Sequence, residues 1–278
     1  MDSDAKTKIR CAVVTGGNKG IGFEICRQLA FNGVSVVLTA RDVTKGLEAV
    51  ENLKNSFGLS NVDFHQLDVL NPVSISSLSE FIRSHFGKLD ILVNSAGIYG
   101  AITDAAENQN LKQMIRETYE SAEECVHTNY YGVKLVTKSL IPLLQLSDSP
   151  RIVNVSSSIG ELKNISNEKA LEILSDEDGL KEENDFKEDL LELNRWPTYI
   201  PAYTISKACL NAYTRILVKE FPTFRINCLC PGYVNSYLNY NTGVITTAEG
   251  AEKVVNLALV PDDGPSVFYF TNGEVSPY

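Results

Sequence analysis

The chain has 278 residues, of which 44% are hydrophobic and 22% are charged, and its formal net charge at pH 7 is −10. This composition is typical of a globular protein, and the length allows one large domain with a sizeable core. The negative charge disfavours a nucleic-acid partner, because polyanions are bound by basic surfaces. No apolar run approaches the ~18 residues of a membrane span, and the charged segment 1–8 is unlike a secretory signal. We therefore expect a cytoplasmic protein that binds neither membrane nor nucleic acid.

Apolar, β-branched runs alternate with amphipathic stretches along most of the chain. In chain order, this pattern predicts a strand over 9–15, a helix over 21–31, a strand over 34–39, a helix over 43–57, a strand over 62–66, a helix over 74–86 and a strand over 89–94. A longer variable stretch is followed by a helix ending at residue 140, a strand over 151–156, a helix over 203–221 and a strand over 225–230.

Strands that are almost continuously apolar and are joined by helices are typical of a parallel sheet covered on both faces. With right-handed crossovers, such a chain forms a doubly wound, Rossmann-type α/β fold. We expect a single domain over residues 1–278, with its ligand beyond the carboxyl ends of the strands.

A polar segment over 101–120 and an acidic, helix-prone segment over 161–192 interrupt the alternation. The acidic segment has twelve Asp or Glu residues against four lysines, so it is either a solvated surface helix or a cap. It leads into the aromatic stretch 196–200, which favours a helical, lid-like insertion over 161–200. Both interpretations stay open at this stage.

Cysteine and histidine residues follow no metal-ligand spacing, so we expect no metal site. The cysteines are expected to be reduced and buried as small hydrophobic residues. They are Cys11, Cys26, Cys125, Cys209, Cys228 and Cys230.

A glycine-rich turn lies between the first predicted strand and the first predicted helix. Glycine permits the tight turn and a close approach of the backbone to a pyrophosphate, which binds at the helix N-terminus. The position in the chain makes a dinucleotide-binding turn the favoured interpretation, and a turn without a ligand is the alternative. The residues of this turn that we expect to bind the cofactor are Gly16, Asn18, Lys19, Gly20, Ile21 and Gly22.

The end of the second strand indicates which dinucleotide binds. An NAD-specific site would have a carboxylate there, but this chain has Ala40 followed by Arg41. A guanidinium suits a 2′-phosphate, and Lys19 would add a second positive charge. NADPH is therefore the expected cofactor, with Asp42 leaving NADH open as the alternative.

The strongest chemical pattern is Tyr203 with Lys207, four residues later on a predicted helix. That spacing puts both side chains on one helix face. A tyrosine with a pKa of about 10 is a poor acid–base group at neutral pH. We expect the Lys207 ammonium to lower the pKa of Tyr203 towards the working range.

Together with Asn94-Ser95-Ala96-Gly97 and Asn154-Val155-Ser156-Ser157-Ser158, these motifs resemble the short-chain dehydrogenase/reductase family over nearly the whole chain. Segments 20–26, 64–69 and 147–157 are most similar to a plant branch of that family, whose members reduce alkaloid and terpenoid ketones. The insertion before Tyr203 resembles that of the animal carbonyl reductases, where it covers a surface that other members of the family use to tetramerise. The resemblance therefore implies a monomer.

The resemblance also implies four catalytic residues. Ser157 would hold the carbonyl oxygen of the substrate, and Tyr203 would donate the proton. Lys207 would bind the nicotinamide ribose and tune the tyrosine, and Asn129 would hold the water that reprotonates Lys207. Beyond the glycine turn and Arg41, the same resemblance assigns Asp68, Val69, Asn94, Ala96, Gly97, Pro231, Gly232, Val234 and Ser236 to the cofactor.

An apolar, aromatic pocket would suit a bulky hydrophobic ketone, although several of its residues could simply pack the core. The candidates are Ile98, Tyr99, Trp196, Tyr199, Tyr233 and Leu238. We expect NADPH-dependent reduction of a terpenoid or alkaloid ketone to the alcohol. The alternatives are reduction of an enone double bond, which Tyr203 disfavours, and a non-catalytic cofactor-sensing protein, which would not need the catalytic residues.

Overall fold

The protein is described by a computed structural model that covers residues 9–100, 102–103, 115–166, 168–175, 201–264, 266, 269–271 and 274–276. Of the predicted lid-like insertion over 161–200, only the start lies within these ranges. Its two candidate substrate residues, Trp196 and Tyr199, lie outside the described residues.

One twisted sheet organises the described residues. Its strands in chain order are β1 (Cys11–Val14), β2 (Ser35–Ala40), β3 (Val62–Gln66), β4 (Ile91–Asn94), β7 (Arg151–Val155), β8 (Arg225–Cys230), β9 (Tyr269–Thr271) and β10 (Glu274–Ser276). The spatial order is β10-β9-β8-β7-β4-β1-β2-β3. The remaining strands, β5 (Ile102–Thr103) and β6 (Ile115–Arg116), form a separate antiparallel pair.

The strands from β3 across to β9 are parallel, as predicted, but β10 runs antiparallel to β9 at the edge of the sheet. The sequence pattern did not predict either of these last two strands. Only two residues separate them, which is too few for the crossover that a parallel pair needs. The sheet is therefore parallel with one antiparallel edge.

Helices cover both faces of the sheet, and this confirms the doubly wound fold. They are α1 (Gly20–Phe31), α2 (Val43–Phe57), α3 (Pro72–Phe86), α4 (Tyr119–Val126), α5 (Gly132–Leu144), α6 (Glu168–Ser175), α7 (Pro201–Glu220) and α8 (Thr247–Ala258). The alternation along β1 divides the core into two: Cys11 and Val13 pack with α3, α5 and α7, whereas Ala12 and Val14 pack with α1, α2 and α8.

Helix α5 continues past its predicted end at residue 140, although Pro142 lies inside it. Leu140, Leu143 and Leu144 are buried in the core, and this packing outweighs the backbone hydrogen bond that proline removes. A short π-helical segment, His127–Tyr131, joins α4 to α5. Such segments are rare and often occur at functional sites.

Candidate active site

A cavity of about 800 Å³ opens at the carboxyl ends of β1, β2, β4, β7 and β8. Its wall combines the glycine turn, the ends of these strands and the loop that follows β8. This is where a doubly wound sheet is expected to bind its ligand, because the strand order reverses next to β1.

The glycine turn forms a cradle that side chains would fill. A Cβ on Gly22 would lie 2.3 Å from the carbonyl oxygen of Gly16, and one on Gly16 would lie 2.9 Å from the Cα of Ala96. Gly16 and Gly20 also have positive φ angles of 68° and 58°. Within the described residues, no side chain caps the start of α1, so its first N–H groups can bind a pyrophosphate. The turn therefore fits a dinucleotide.

Three cations line the cavity near the glycine turn and the carboxyl end of β2: Arg41, Lys45 and Lys19. Asp42, the residue that left NADH open, accepts a hydrogen bond from the backbone N of Lys45 at 3.0 Å and so caps α2. This hydrogen bond lowers the pKa of Asp42. The Asp42 carboxylate is thus occupied as the N-terminal cap of α2, and the three basic side chains favour binding of a 2′-phosphate.

Tyr203 and Lys207 lie on consecutive turns of α7, and both line the cavity although 8% or less of each is exposed. The Lys207 Nζ is 5.5 Å from the centroid of the Tyr203 ring, and it donates a hydrogen bond to the carbonyl oxygen of Val155 at 2.9 Å. The Tyr203 ring also packs against Tyr99, with 5.1 Å between ring centroids. The predicted pairing of phenol and ammonium therefore exists at the cavity.

The predicted lowering of the Tyr203 pKa by Lys207, however, is wrong for this arrangement. Burial raises the pKa of Tyr203, and the nearby Ser157 hydroxyl opposes this only in part. Burial likewise lowers the pKa of Lys207, which weakens the ammonium that was expected to stabilise the phenolate. The phenol consequently keeps its proton at neutral pH, which is the state that a proton donor requires.

The backbone after β7 separates the adjacent serines. Ser156 is buried and its hydroxyl donates to the carbonyl oxygen of Lys207 at 3.4 Å. Ser157 lines the cavity and is close enough to Tyr203 for its hydroxyl to lower the pKa of the phenol, whereas Ser158 begins a short 3-10 turn. Ser157 is thus the serine best placed to share a carbonyl oxygen with Tyr203.

Asn129 lies in the π-helical segment, buried behind the cavity wall. Its side chain donates to the Ser206 hydroxyl at 3.0 Å and exchanges hydrogen bonds with the backbone of Ile98. A Cβ on Gly97 would lie 3.2 Å from the Asn129 Oδ1 and 3.7 Å from the Lys207 Nζ. Asn129 therefore stands beside Lys207, with its side-chain amide already engaged by the protein.

Asn94 does not line the cavity, in contrast to the prediction. Its side chain is 1% exposed and donates to the Asn154 Oδ1 at 2.8 Å and to the Thr137 hydroxyl at 3.1 Å. The strand carries this side chain between the sheet and α5, so Asn94 ties structural elements together instead of contacting the cofactor.

The remaining predicted residues in the described part of the chain do line the cavity. For the cofactor, these are Gly16, Asn18, Lys19, Gly20, Ile21, Gly22, Arg41, Asp68, Val69, Ala96, Gly97, Pro231, Gly232, Val234 and Ser236; for the substrate, they are Ile98, Tyr99, Tyr233 and Leu238.

Sequence reasoning missed several lining residues, among them Lys45, Ser121, Glu124 and Cys230. Lys45 could have been found, because it lies in the first turn of α2, shortly after Arg41. Ser121 and Glu124 lacked a motif, since α4 reaches the cavity only through the tertiary fold, whereas Cys230 ends β8 directly before Pro231. Within the described ranges, no three His, Cys, Asp or Glu residues are grouped to hold a metal, and the six cysteines are unpaired and buried. None of the described helices combines the length and apolarity of a membrane span.

A Rossmann-type sheet with a Tyr–Lys pair opposite a glycine cradle is the arrangement of a dinucleotide-dependent oxidoreductase. The family model for short chain dehydrogenase matches residues 10–168, and the chain belongs to this family.

The most similar relatives include salutaridine reductase from Papaver somniferum, which is 57% identical over 98% of this chain and 97% of that protein. The solved structure of that enzyme has a TM-score of 0.85 to this chain at 56% identity, covering 94% of this chain and 99% of that one. The (+)-neomenthol dehydrogenase of Arabidopsis thaliana is 53% identical, covering 97% of this chain and 98% of that protein. Carbonyl reductase (NADPH) 3 of Rattus norvegicus is 38% identical, covering 91% and 92%.

Proposed function

We propose that this protein reduces a ketone on a bulky hydrophobic molecule to the alcohol, with NADPH as cofactor and Tyr203 as proton donor. The single observation that carries the proposal is the buried Tyr203, which lies close to Lys207 and Ser157 at the wall of the glycine-turn cavity. Ketone reduction needs a hydride donor and a proton donor on one carbonyl group, and this cavity has a place for each.

The proposed roles follow from the contacts. The hydroxyl groups of Ser157 and Tyr203 both donate to the carbonyl oxygen, where negative charge develops, and such donors contribute a few kcal/mol each. Tyr203 then transfers its proton to that oxygen. Lys207, held by the carbonyl oxygen of Val155, binds the ribose and supports the phenolate that remains. Asn129, beside Lys207, would hold the water that returns the proton.

NADPH, when bound, supplies the hydride to the carbonyl carbon. The glycine turn and the start of α1 would hold its pyrophosphate, and Asp68 and Val69 would contact the adenine. Arg41, Lys45 and Lys19 would face the 2′-phosphate. Pro231, Gly232, Val234 and Ser236 would lie beside the nicotinamide. A relative in the same family is named for its use of NADPH, which supports this cofactor.

The substrate pocket is apolar and aromatic where it is described. Tyr99, Ile98, Tyr233 and Leu238 line it, and they suit a ring-containing ketone more than a small polar one. Relatives are named for salutaridine and for neomenthol. We therefore propose a terpenoid or alkaloid ketone as substrate. A monomer in the cytoplasm remains part of the proposal, with the insertion over 161–200 as its lid.

The test is a panel of cyclic terpenoid ketones, polycyclic alkaloid ketones and matched enones, followed by the loss of NADPH absorbance and by product analysis. We expect an alcohol as the product and faster turnover with the bulky ketones than with acetone. A product reduced only at the carbon–carbon double bond would assign the enzyme to enone reduction. Tight NADPH binding without turnover of any ketone would favour a cofactor-sensing protein.

A further inference from the structure

Arg41 has an anionic neighbour within the cavity itself. Its Nη1 lies 3.6 Å from the Oε1 of Glu124, and the two side chains are 63% and 54% exposed. Arg41 follows β2, whereas Glu124 lies in the last turn of α4, and both residues line the cavity. The pair therefore joins two elements that are distant in the sequence at the place proposed for the 2′-phosphate.

The other charged groups nearby have different partners. Asp42 caps α2, and its carboxylate lies 3.7 Å from the Lys45 Nζ. Asp68 accepts a hydrogen bond from the backbone N of Leu70, and the Lys19 Nζ lies 5.6 Å from the centroid of the Tyr237 ring. Among the ion pairs of the described residues, Glu124 is thus the carboxylate that engages Arg41.

A half-exposed ion pair of this kind is weak, because water screens both charges. A dianionic phosphate can therefore take the guanidinium from Glu124, but it must break the pair and approach a second anion. A 2′-hydroxyl has no net charge and does not compete for Arg41. The free-energy cost of breaking the Arg41–Glu124 pair therefore weakens only the binding of the phosphorylated cofactor.

We infer that Glu124 is a specificity-determining residue that competes with the cofactor's 2′-phosphate for Arg41. Its carboxylate weakens the binding of NADPH and NADP⁺ while leaving that of NADH and NAD⁺ nearly unchanged, and it thereby eases release of the oxidised cofactor. The inference rests on the proposed function, because it needs the 2′-phosphate to face Arg41.

The experiment measures dissociation constants for NADP⁺, NAD⁺ and 2′-AMP by isothermal titration calorimetry on the full chain. Glu124→Gln should bind NADP⁺ and 2′-AMP about three- to tenfold more tightly than the unmodified protein, and NAD⁺ within about twofold. The gain should shrink at high salt. Glu123→Gln is the matched control, since it removes the same charge from the neighbouring position, which does not line the cavity; it should bind each ligand within about twofold of the unmodified protein.

A double-mutant cycle with Arg41→Ala isolates the competition. In the Arg41→Ala background, the gain from Glu124→Gln should fall below about twofold. The inference is overturned by weaker NADP⁺ binding in Glu124→Gln, by no change, by an equal gain for NAD⁺, or by a gain that persists without Arg41. If the unmodified protein does not prefer NADP⁺ over NAD⁺, the proposed cofactor itself is wrong. If the unmodified protein prefers NADP⁺ and Glu124→Gln leaves this preference unchanged, only the inference about Glu124 fails.

Discussion

Burial controls the chemistry of individual side chains in this cavity. The phenol of Tyr203 and the ammonium of Lys207 are both removed from water, which disfavours the charged form of each. A positive neighbour is therefore not enough to make the phenol acidic while the ammonium is itself desolvated. The same burial keeps the proton on Tyr203 at neutral pH, but it also makes the phenol a weaker acid.

At the residue scale, we predict that Tyr203→Phe lowers kcat for ketone reduction about 10²- to 10⁴-fold. The ring and its packing against Tyr99 remain, and only the hydroxyl is lost, so the dissociation constant for NADPH should change by less than about threefold. Stopped-flow turnover and calorimetric binding measure the two effects separately. Near-normal turnover in this variant would remove Tyr203 from the proposed mechanism.

Glu117 is a second buried group, and no sequence pattern pointed to it. Its Oε2 accepts a hydrogen bond from the backbone N of Ala202, at the start of α7, at 3.5 Å. Its Oε1 is buried and has no hydrogen-bond partner among the described residues. Burial raises the pKa of Glu117 to about 7.

The pKa of Glu117 is higher in the folded protein than in the unfolded chain. Between pH 4.5 and about 7, the folded protein therefore keeps a proton on Glu117 that the unfolded chain has lost. Stability is lost as the pH rises through this window, because the buried carboxylate becomes charged. Glu117→Gln should therefore stabilise the protein by about 1 kcal/mol at pH 8 and by much less at pH 4.5. Thermal unfolding at the two pH values checks this, and an equal change at both would contradict it.

At the scale of elements, the turn between β1 and α1 depends on backbone conformations and approaches that side chains do not allow. We predict that Gly22→Ala weakens NADPH binding by about tenfold or more and lowers stability by about 2 kcal/mol, because the added Cβ would lie 2.3 Å from the Gly16 carbonyl oxygen. Gly33→Ala is the control, since a Cβ there meets no atom within 4 Å although φ is 77°.

The Gly33 variant should lose about 1 kcal/mol of stability from its strained backbone and keep its NADPH affinity. Calorimetric titration and urea unfolding of the two variants separate backbone strain from loss of the cradle. Equal NADPH affinities in both variants would show that the cradle does not hold the cofactor.

At the scale of the whole molecule, a buried polar network connects the sheet with the helices on one of its faces. Asn154 in β7 accepts from Asn94 in β4 and donates to the Thr214 hydroxyl in α7 at 2.9 Å, while Asn94 also reaches Thr137 in α5. These side chains are almost fully buried. A network of this kind fixes one register of the elements, because any shift leaves polar groups unpaired.

We predict that Asn154→Ala lowers the free energy of unfolding by about 2–3 kcal/mol, since it removes one buried hydrogen bond from the Asn94 amide and one from the Thr214 hydroxyl and leaves a cavity. Asn55→Ala is the control, because Asn55 is exposed on α2 and should change stability by less than about 0.5 kcal/mol. Urea unfolding measures both. A loss for Asn154→Ala no larger than that of the control would show that the network is not stabilising.

The sequence by itself determined the class of fold and most of the cavity wall. Helix α2 and strands β3 and β8 have the bounds that their patterns predict. Helical periodicity and apolar β-branched runs depend only on residues that are neighbours in the sequence. The glycine turn, the Tyr203–Lys207 pair and Arg41 were found in the same way, because each is a short motif whose geometry depends on one element and its end.

Only the tertiary structure decided the direction of the Tyr203 pKa, the inward position of Asn94, the antiparallel edge strand and the neighbours Glu117 and Glu124. Desolvation and ion pairing depend on residues that are far apart along the chain, and no local sequence pattern predicts which of these residues come into contact. For the same reason, the sequence could identify Arg41 as a phosphate-binding cation, but only the folded chain brings the carboxylate of α4 beside it.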